Sequence, residues 1–399
     1  MGKMLRTITL SNFRNHALSR INAACAKNVV LFGENGSGKT AVLEAISMFS
    51  GNGGLRGATM NEILRLEKPP RPAGTPPQEG NRSTTFTVNA ELSDETALSI
   101  SYNAGDSGRK LRIDNDSTPL SAASRAIRIL WLTPKEDRLW TESASDRRAF
   151  LDRFVAGFDP AHLGRVSRLS KLLSERAFVL KKCAGAKDTG EESRRSRAAA
   201  SAQADEGGWL NAIEKQLAET SVAVAAARVA YAAQINYFLE LETNARLTIS
   251  GMLENQLASG ALCSDIEKEY LDYLRANREI MNDKMIVDGA HKTDFSIFRN
   301  DLCMHAAVLS TGQQKKLLML FIIANAKLLN AKTNAKILLL LDEAAAHLDE
   351  SSLHDLFERL AGTDVQVWWS GVSRDAFSNL KNALFVSCKD GQVNTNIQS

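Results

Sequence analysis

A short glycine-rich segment near the start of the chain restricts the fold more than any other feature. Residues 33–40 read GENGSGKT and fit the pattern G-x-x-x-x-G-K-[ST]. An apolar run, NVVLF at 28–32, enters this segment, and a helix-forming run, AVLEAISMF at 41–49, leaves it. A strand, a glycine-rich loop and a helix in this order form a P-loop. We therefore predict an α/β fold of the P-loop class.

The residue types in this loop suit the binding of a nucleoside triphosphate. Glycines let backbone N–H groups turn towards the β-phosphate, and the helix N-terminus adds a favourable dipole. Lys39 can place its ammonium on the β- and γ-phosphates, and the Thr40 hydroxyl can ligate Mg²⁺. An ordinary glycine turn before a helix is the alternative, and the flanking elements argue against it. We predict ATP and Mg²⁺ as cofactors. The predicted nucleotide-binding residues of the loop are Gly33, Glu34, Asn35, Gly36, Ser37, Gly38, Lys39 and Thr40.

A second apolar run ends in two acids. Residues 337–341, ILLLL, would form a buried parallel strand, which places Asp342 and Glu343 at the carboxyl edge of the sheet. There Asp342 can hold Mg²⁺ through water, and Glu343 can act as general base on the attacking water. Many strands end in acids because they are solvated there, so this pair is informative only together with the P-loop. Asp349, in HLDE, is expected either at the nucleotide or as an ordinary helix N-cap.

Composition excludes several classes of protein. The formal charge is only +3 over 399 residues, so any nucleic-acid contact must come from local clustering of cations. The five cysteines form no CxxC pair, which argues against a disulfide framework and a zinc site and fits a reducing cytoplasm. The N-terminus lacks the apolar run of a signal peptide, and the longest apolar run, 317–324, is too short to span a membrane. We expect a cytoplasmic protein without a membrane partner.

Proline usage divides the chain. All eight prolines lie at or before Pro160. Before it, the segments FTVNAEL, ALSISYNAG, KLRIDND and IRILWL alternate in the manner of strands of a sheet. After it, apolar residues recur at helical spacing, and a small, charged segment at 183–206 interrupts them. We predict a first head lobe with the P-loop and a β-rich subdomain at 1–160, a helical arm at 161–285, and the remainder of the head at 286–399.

The stretch LSTGQQKK, at 309–316, stands directly before the apolar run LLMLFIIANA. With the P-loop before it and ILLLLDE after it, this order resembles the ABC-type ATPases, whose signature is Leu-Ser-Gly-Gly-Gln-like. In that family two subunits enclose two ATP molecules, and the signature of one subunit contacts the γ-phosphate held by the other. The resemblance assigns this role to Ser310, Gly312 and Gln313. An N-capped helix with a lysine in its first turn has the same geometry, and the residues alone leave both interpretations open.

Within the ABC-type ATPases the chain resembles the RecF family of bacterial recombination mediators over nearly its whole length. The residues that carry this resemblance form a series of short boxes in the same order along the chain. They are SNFRNH (11–16), GENGSGKTAVLEAI (33–46), GLRGA (54–58), LTPKEDRLW with DRRAFLDRF (132–154), WL (209–210) with QLAET (216–220), and GAHKTDF (289–295).

This resemblance implies an ABC-ATPase head with an inserted α-helical arm, ATP-driven homodimerisation on DNA and slow, DNA-stimulated hydrolysis. In such a site Glu343 would be the general base, and Asp342 and Thr40 would bind Mg²⁺. Lys39 would stabilise phosphate charge, and Ser310 would complete the site of the partner subunit. The resemblance further implies a role in recombinational repair and replication restart. The partners would be duplex DNA with single-strand gaps and mediator proteins such as RecR, which promote loading of a recombinase.

The chain departs from the family pattern at several positions. It has Ser-Thr-Gly-Gln-Gln-Lys where the family usually shows Ser-Gln-Gly-Gln-Gln-Arg, and Asp342–Glu343 where Asp-Asp is frequent. Residues 289–292 read GAHK in place of Gly-Pro-His-Arg, and residues 175–177 read ERA in place of Gln-Arg-Asn. Each catalytic position nevertheless keeps a competent group.

Other ABC-type ATPases are the alternatives. A transporter subunit would place its signature closer to its P-loop and would carry a histidine after the next strand, but VQVWWSGVS at 365–373 contains none. A chromosome-structuring ATPase with an SMC-like head would show sustained heptads and a CxxC hook, and both are missing from the sequence.

Contacts with DNA would be made by clustered arginines. Arg56, Arg147 and Arg148, and the cluster of Arg194, Arg195 and Arg197, are candidates for phosphate contacts. Exposed arginines are more often solvated surface, which is the competing interpretation. If they bind phosphates, affinity should decrease steeply with salt and depend little on DNA sequence.

Overall fold

The computed structural model describes residues 4–24, 26–50, 54–66, 83–188, 197–278, 287–332, 337–343 and 348–396. Internal contacts divide the chain into two compact units. Unit 1 combines Met1–Arg138 with Leu309–Ser399, and unit 2 is Leu139–Val308. The chain therefore leaves unit 1 once and returns to it, but the boundaries lie at 138/139 and 308/309 instead of the expected 160/161 and 285/286.

The secondary-structure elements are numbered here in chain order. The strands are β1 (Leu5–Phe13), β2 (His16–Asn22), β3 (Asn28–Phe32), β4 (Thr85–Leu92), β5 (Ala97–Asn103), β6 (Lys110–Ile113), β7 (Asp116–Thr118), β8 (Arg128–Leu132), β9 (Ala245–Ser250), β10 (Asp294–Arg299), β11 (Met304–His305), β12 (Ile337–Leu341), β13 (Val365–Gly371), β14 (Ala383–Lys389) and β15 (Gln392–Asn396). The helices are α1 (Lys39–Ser47), α2 (Met60–Ile63), α3 (Ala123–Ala126), α4 (Ala144–Phe158), α5 (His162–Asp188), α6 (Arg197–Thr243), α7 (Met252–Ala258), α8 (Cys263–Ala276), α9 (Thr311–Lys332) and α10 (Glu350–Ala361).

A largely parallel sheet in unit 1 positions the candidate site. Its order is β15-β14-β3-β13-β12-β8, and only β15 is antiparallel to its neighbour. Every residue of β12 is buried, as expected for a parallel strand covered on both faces. The register places Leu341 opposite Trp369, and Gly371 opposite Phe32. The carboxyl ends of β3, β13 and β12 therefore meet at one edge, where the sequence predicted the P-loop and the two acids.

An antiparallel sheet in unit 1 has the order β2-β1-β4-β5-β6-β7. Three of the four segments expected to share a sheet, now β4, β5 and β6, lie in it. The fourth, IRILWL, does not. Its strand β8 pairs with β12 in the parallel sheet, because Leu130, Trp131 and Leu132 form a continuous buried run that fits a strand covered on both faces.

Unit 2 is built around the long helices α5 and α6. Their apolar stripes, with those of α7 and α8, form one core that includes Leu172, Leu217 and Leu274. A three-stranded antiparallel sheet, β11-β10-β9, also belongs to this unit. Because β10 pairs with β9, residues 294–299 lie in unit 2 and not in the expected second part of the head. The Asn236 amide covers the free edge of β9: it accepts from the Leu247 N–H at 2.7 Å and donates to the Leu247 carbonyl at 3.0 Å.

One part of α6 has the length and hydropathy of a membrane-crossing helix. This part is Gly208–Thr243, and 44% of its most apolar window is buried within the protein. One such helix is weak evidence, because the core helix of a soluble protein passes the same test. Here Glu214 and Arg228 are fully buried and paired with Arg176 of α5 and Asp152 of α4. Such charges would be costly in lipid, so we interpret α6 as a core helix of unit 2.

Candidate nucleotide-binding site

The loop of residues 33–40 connects β3 to α1, as the sequence predicted, and its backbone requires glycine. Gly33 has φ 149°, and a Cβ atom there would lie 2.2 Å from the Cys388 carbonyl oxygen of β14. Gly38 has φ 111°, and its Cβ would lie 2.5 Å from His16 Nε2. Residues of β2 and β14 therefore pack so closely against the loop that a side chain at either position would force its neighbours to move.

Lys39 begins α1 and turns its side chain back into the loop. Its Nζ donates to the carbonyl oxygens of Gly33 at 2.7 Å and Glu34 at 2.8 Å, and the residue is only 4% exposed. These neutral acceptors hold the ammonium beneath the loop, and a phosphate oxygen would be a stronger, charge-assisted acceptor at the same place. The position suits a cation that neutralises phosphate charge.

Asp342 connects the loop to β12 and β13. Its Oδ1 accepts from the Thr40 hydroxyl at 3.0 Å and from the Ser370 hydroxyl at 2.7 Å, and its backbone N–H donates to the Leu132 carbonyl at 2.9 Å. Ser370 in turn accepts from the Glu343 N–H at 2.9 Å. The predicted magnesium ligands, Thr40 and Asp342, thus lie within hydrogen-bonding distance of each other, and one hydroxyl links Asp342 to the predicted general base.

The donor set fits Mg²⁺. A threonine hydroxyl and a carboxylate are the hard oxygen ligands that this ion prefers, and it usually takes only one or two ligands from the protein beside phosphate and water. Among the residues that the structure describes, no group of three or more His, Cys, Asp or Glu side chains converges on a point. The pair of Thr40 and Asp342 therefore agrees better with a magnesium–phosphate complex than with a site made by protein alone.

Sequence reasoning missed Ser370 and gave no chemical role to His16. Ser370 is a small polar residue inside the fully buried strand β13, and a hydroxyl within such an apolar run was the available signal. His16 is fully buried behind the loop, with Nε2 3.1 Å from the Gly38 carbonyl and Nδ1 2.8 Å from Ser19 Oγ. Ser19 Oγ donates to the Gly391 carbonyl at 3.0 Å, and the Gly391 N–H donates to the Ser37 carbonyl at 3.0 Å. His16 therefore joins the P-loop to the turn between β14 and β15.

Arg14, beside it, is bound by a buried acid of α1. Its Nε and Nη2 lie 2.8 and 2.6 Å from the two carboxylate oxygens of Glu44, and Nη1 donates to the Glu62 carbonyl at 2.9 Å. Glu44 is 1% exposed. The box SNFRNH, which was identified only by resemblance, thus has a structural role. Arg14 binds α1 through Glu44, and His16 contacts the P-loop through the Gly38 carbonyl.

A cavity of about 520 Å³ opens in front of these groups. That volume lies within the range of cavities that hold small ligands and cofactors. Its lining includes these predicted site residues: Asn35, Gly36, Gly38, Lys39, Thr40 and Glu343. The other loop residues, Gly33, Glu34 and Ser37, are not part of the lining, and Asp342 adjoins it through Thr40. Arg56, predicted as a DNA contact, is exposed and lines the same cavity. The P-loop and the general-base candidate therefore share one pocket within a single chain.

The signature residues lie apart from that cavity, on exposed surface at the start of α9. Ser310 and Gln313 cap the helix reciprocally, with Ser310 N–H to Gln313 Oε1 at 3.1 Å and Gln313 N–H to Ser310 Oγ at 3.4 Å. Gly312 has open space where a Cβ would lie. Asp349 caps α10 by accepting from the Ser352 N–H at 2.7 Å. The N-cap geometry is therefore present at both places, and a nucleotide role for these residues stays a prediction.

The arginines predicted to contact DNA differ in their surroundings. Arg147 forms a two-point pair with Asp294, at 2.7 Å for each contact, and this partner raises its pKa. Arg148 donates to the Thr293 carbonyl at 3.0 Å. Both guanidinium groups thus have partners inside unit 2, which reduces their availability for phosphates. Arg194 and Arg195 lie outside the described residues, as does the side chain of Arg197.

The segment GAHKTDF contributes to a buried network in unit 2. Arg228, 2% exposed, contacts both carboxylate oxygens of Asp152 at 2.8 Å and donates to Thr293 Oγ1 at 2.9 Å. His162 Nε2 lies 2.8 Å from Asp152 Oδ1, and Glu254 Oε1 lies 3.5 Å from Arg228 Nη1. Asp152 comes from the box DRRAFLDRF of α4. This network explains why α4 belongs to unit 2 and not to the expected first head lobe.

Comparisons with known proteins match nearly the whole chain. The family model described as RecF/RecN/SMC N terminal domain matches residues 4–395. The chain is 32% identical over 406 residues to the DNA replication and repair protein RecF of Rhizobium etli, covering 98% of each chain. It is 34% identical over 402 residues to the protein of the same name from Rhizobium rhizogenes, covering 97% of each.

Solved structures agree in fold. The recombination mediator protein RecF-ATPrS in the RecFOR pathway has a TM-score of 0.79 at 20% identity, covering 99% of this chain and 98% of that one. An SmcHead bound to the C-winged helix domain of ScpA has a TM-score of 0.51 at 11% identity, covering 98% of this chain and 96% of that one. The predicted fold, an ABC-type P-loop ATPase head with an inserted helical arm, is confirmed. Matches to relatives at more than 30% identity over nearly the full length, with a family model over residues 4–395, show that this chain belongs to the RecF family.

Proposed function

We propose that this chain is an ATP-dependent DNA-binding protein of recombinational repair and replication restart. The name of its relatives, DNA replication and repair protein RecF, supports the general role. The observation that carries the proposal is the arrangement at the carboxyl ends of β3, β12 and β13. There Thr40 donates to Asp342, and Ser370 links Asp342 to the Glu343 N–H, beside a cavity that the P-loop lines.

Each residue of this arrangement has a distinct task in ATP hydrolysis. Lys39 binds and neutralises the β- and γ-phosphates, and the loop N–H groups orient them. Thr40 and Asp342 hold Mg²⁺, which supplies charge neutralisation at the phosphates when it is bound. Glu343 takes the proton of the attacking water. Its N–H is fixed on Ser370 and its φ is 51°, so the backbone of the general base is held in a left-handed conformation that is unusual for glutamate.

We propose that a second copy of this chain completes the site. Ser310, Gly312 and Gln313 are exposed and do not line the cavity of their own chain, which supports a role at the γ-phosphate of the partner. ATP would then drive head-to-head dimerisation on DNA, and slow hydrolysis stimulated by DNA would release the dimer. The partners proposed are duplex DNA with single-strand gaps, mediator proteins such as RecR and, through them, the recombinase. We place this work in the cytoplasm, at the nucleoid.

Sedimentation velocity with ATP and Mg²⁺ tests the dimer. We expect the wild type to dimerise weakly and Glu343→Gln, which binds ATP without hydrolysing it, to dimerise strongly. Lys39→Ala is the matched control and should stay monomeric. A Glu343→Gln variant that binds ATP but remains monomeric would contradict the shared site.

Turnover with and without duplex DNA tests the second part of the proposal. We expect phosphate release by the wild type to increase when DNA is added. Ser310→Ala should abolish that increase while each monomer still binds ATP, because its own P-loop is intact. Turnover that is indifferent to DNA would contradict the proposed role in repair.

A further inference from the structure

A short β-hairpin of unit 2 and the residues that follow it expose large apolar side chains. The hairpin is formed by β10 and β11, and the chain continues through residues 306–308 to the signature. Leu302 is 38% exposed, Met304 47% and Val308 69%. These are three of the eleven exposed large hydrophobic side chains among the described residues, yet they lie within seven positions of one another. Clustered exposed apolar residues indicate an interaction site, whereas scattered ones need no explanation. We call these three residues the hairpin surface.

The turn of this hairpin is held in place and carries no net charge. The Asn300 N–H donates to the Asn244 carbonyl at 2.9 Å, which ties the turn to the chain directly after α6. Arg299 Nε donates to Asp301 Oδ1 at 2.8 Å. Asp301 is the only formally charged residue in 300–308, and Arg299 neutralises it. An ordered apolar surface without net charge suits a protein partner and not the phosphates of a nucleic acid.

The hairpin surface is joined directly to the signature. Within residues 301–313 only Ala306 and Leu309 are buried, so the exposed surface continues from one to the other. Val308 and Ser310 are two residues apart, and their Cα atoms therefore lie within about 7 Å of each other in any conformation. If Ser310 contacts a γ-phosphate held by a second copy, Val308 must lie beside that copy as well. The signature residues are small or polar, whereas the core of a stable interface is apolar.

The candidate nucleotide site has an exposed apolar residue of its own. Val372 is 62% exposed and directly follows β13. Gly371, the last residue of β13, lies opposite Phe32, which precedes the P-loop. On its other side β13 pairs with β12, the strand that leads to Glu343. Val372 therefore leaves the sheet edge between the P-loop and the proposed general base, where the γ-phosphate is expected.

We propose that the hairpin surface is an apolar part of the contact with a second copy of this chain, and that Val308 packs there against Val372 of that copy. The inference rests on the proposed dimer and deepens it, because it adds an apolar contact beside the polar signature. Chain continuity with the signature favours a second copy over a different protein as the occupant. Burial of this surface would then depend on ATP, since ATP drives the proposed dimerisation.

Sedimentation velocity in ATP and Mg²⁺ tests the contact in the Glu343→Gln background. Val308→Glu and Met304→Glu should each weaken dimerisation about 30-fold, because a carboxylate would be buried in the apolar part of the interface. ATP binding by the monomer and the melting curve should stay unchanged. The matched control is Leu262→Glu, since Leu262 is 66% exposed before α8 and should leave the dimer intact.

A charge pair tests the apposition of Val308 and Val372. Val372→Lys alone should weaken the dimer. Combined with Val308→Glu in the same chain, it should strengthen the dimer about tenfold relative to Val308→Glu alone, because opposite charges then meet twice across the interface. Val372→Lys with Leu262→Glu is the control pair and should dimerise no better than Val372→Lys alone.

A cysteine in the hairpin turn gives a second readout that needs no substitution in the hairpin surface. Cys303 is exposed between Leu302 and Met304, and Cys263 is exposed on α8. In Glu343→Gln, ATP should slow the alkylation of Cys303 by iodoacetamide about tenfold, as expected for a residue covered by an interface, and leave Cys263 unchanged. Mass spectrometry of the peptides separates the two thiols. Lys39→Ala should show no protection of either one.

The outcomes separate this inference from the proposed function. A Glu343→Gln variant that stays monomeric in ATP would overturn the proposed dimer and the hairpin contact with it. A dimer that forms equally well with Val308→Glu and Met304→Glu, and in which ATP does not protect Cys303, would overturn the hairpin contact alone and leave that surface to a different protein. Weakened dimers that the charge pair does not strengthen would overturn the apposition of Val308 and Val372.

Discussion

The P-loop pocket of unit 1 and the Arg228 network of unit 2 are both rich in charged residues, but their contacts differ in kind. In the pocket, Lys39 donates to two loop carbonyls and Asp342 accepts from two hydroxyls, and a cavity lies beside them. In the network, Arg228 is fully buried and binds two points of Asp152. Phosphate and Mg²⁺ can replace the neutral partners of Lys39 and Asp342. In the network, the charges of Arg228 and Asp152 already neutralise each other in a buried ion pair, so neither is available to a ligand. The short sequence boxes of this chain therefore serve two purposes. The P-loop box forms a candidate ligand site, whereas the box DRRAFLDRF stabilises the fold of unit 2 through Asp152.

The largest effect is expected in the pocket. Glu343→Gln should lower ATP turnover by about 1,000-fold, because an amide cannot accept the proton of the attacking water. ATP binding and the thermal unfolding midpoint should stay near those of the wild type. Steady-state phosphate release, equilibrium nucleotide binding and a melting curve check the three quantities. Turnover within tenfold of wild type would show that another group is the base.

The network should respond in the opposite way. Arg228→Met should lower the free energy of unfolding by about 3–5 kcal/mol, because it leaves the buried Asp152 and Glu254 carboxylates without their cation. Nucleotide binding below the unfolding transition should persist. Denaturant titration measures the change, and Arg246→Met, at an exposed arginine of β9, is the control and should alter stability by no more than about 0.5 kcal/mol. A change of no more than about 0.5 kcal/mol in both variants would show that the Arg228 network does not stabilise unit 2.

A smaller effect is expected at Ser370. Ser370→Ala should reduce turnover about tenfold and raise the Mg²⁺ concentration needed for half-maximal rate, because Asp342 and the Glu343 N–H lose their shared partner. Ser370→Thr keeps the hydroxyl and should restore most of the rate. Equal turnover by the alanine and threonine variants would mean that the hydroxyl has no part in positioning.

The smallest effect is a pH dependence from His16. Burial lowers the pKa of His16 from its ordinary value of 6.5. The unfolded chain therefore binds a proton that the folded chain resists, and stability should decrease as the pH falls below about 6.5. Burial lowers the pKa of His291 as well, so it contributes with the same sign. His16→Gln should flatten the curve of unfolding free energy against pH between pH 7 and 5, as a denaturant titration at each pH would measure. A curve parallel to that of the wild type would contradict this contribution.

The position of the P-loop and of the two acids was predictable because local sequence encodes it. Residues 28–32 form β3 and residues 337–341 form β12, as predicted, and the carboxyl ends of these parallel strands bring the P-loop and Asp342 to one edge of the sheet. Ser370 and the role of His16 were missed because their contacts join distant parts of the chain. Ser370 binds Asp342, 28 residues away, and His16 contacts Gly38, 22 residues away. Ser19, the other neighbour of the His16 ring, binds Gly391, 372 residues away. Periodicity reports which residues are buried in a strand but not which strand lies beside it.

The same limit explains why the sequence did not predict the boundaries of the two units or the sheet to which the fourth predicted strand belongs. The segment IRILWL was correctly expected to be a strand, but its pattern could not name β12 as its neighbour. Likewise, the helical stripe of α4 does not reveal that Asp152 will meet Arg228, 76 residues later. Ion pairs of this kind assign α4 to unit 2, and they have no signature in local sequence.

Gly33 has a consequence for how sequences of this kind are compared. A Cβ atom at this position would collide with the backbone of β14, whatever the loop binds. A divergent copy of the gene that had lost nucleotide binding would therefore still be selected to keep this glycine for folding alone. Retention of Gly33 in such a copy therefore says nothing about activity. Lys39 and Glu343 are proposed to act on the nucleotide, so their retention or loss would distinguish an active ATPase from an inactive relative with the same fold.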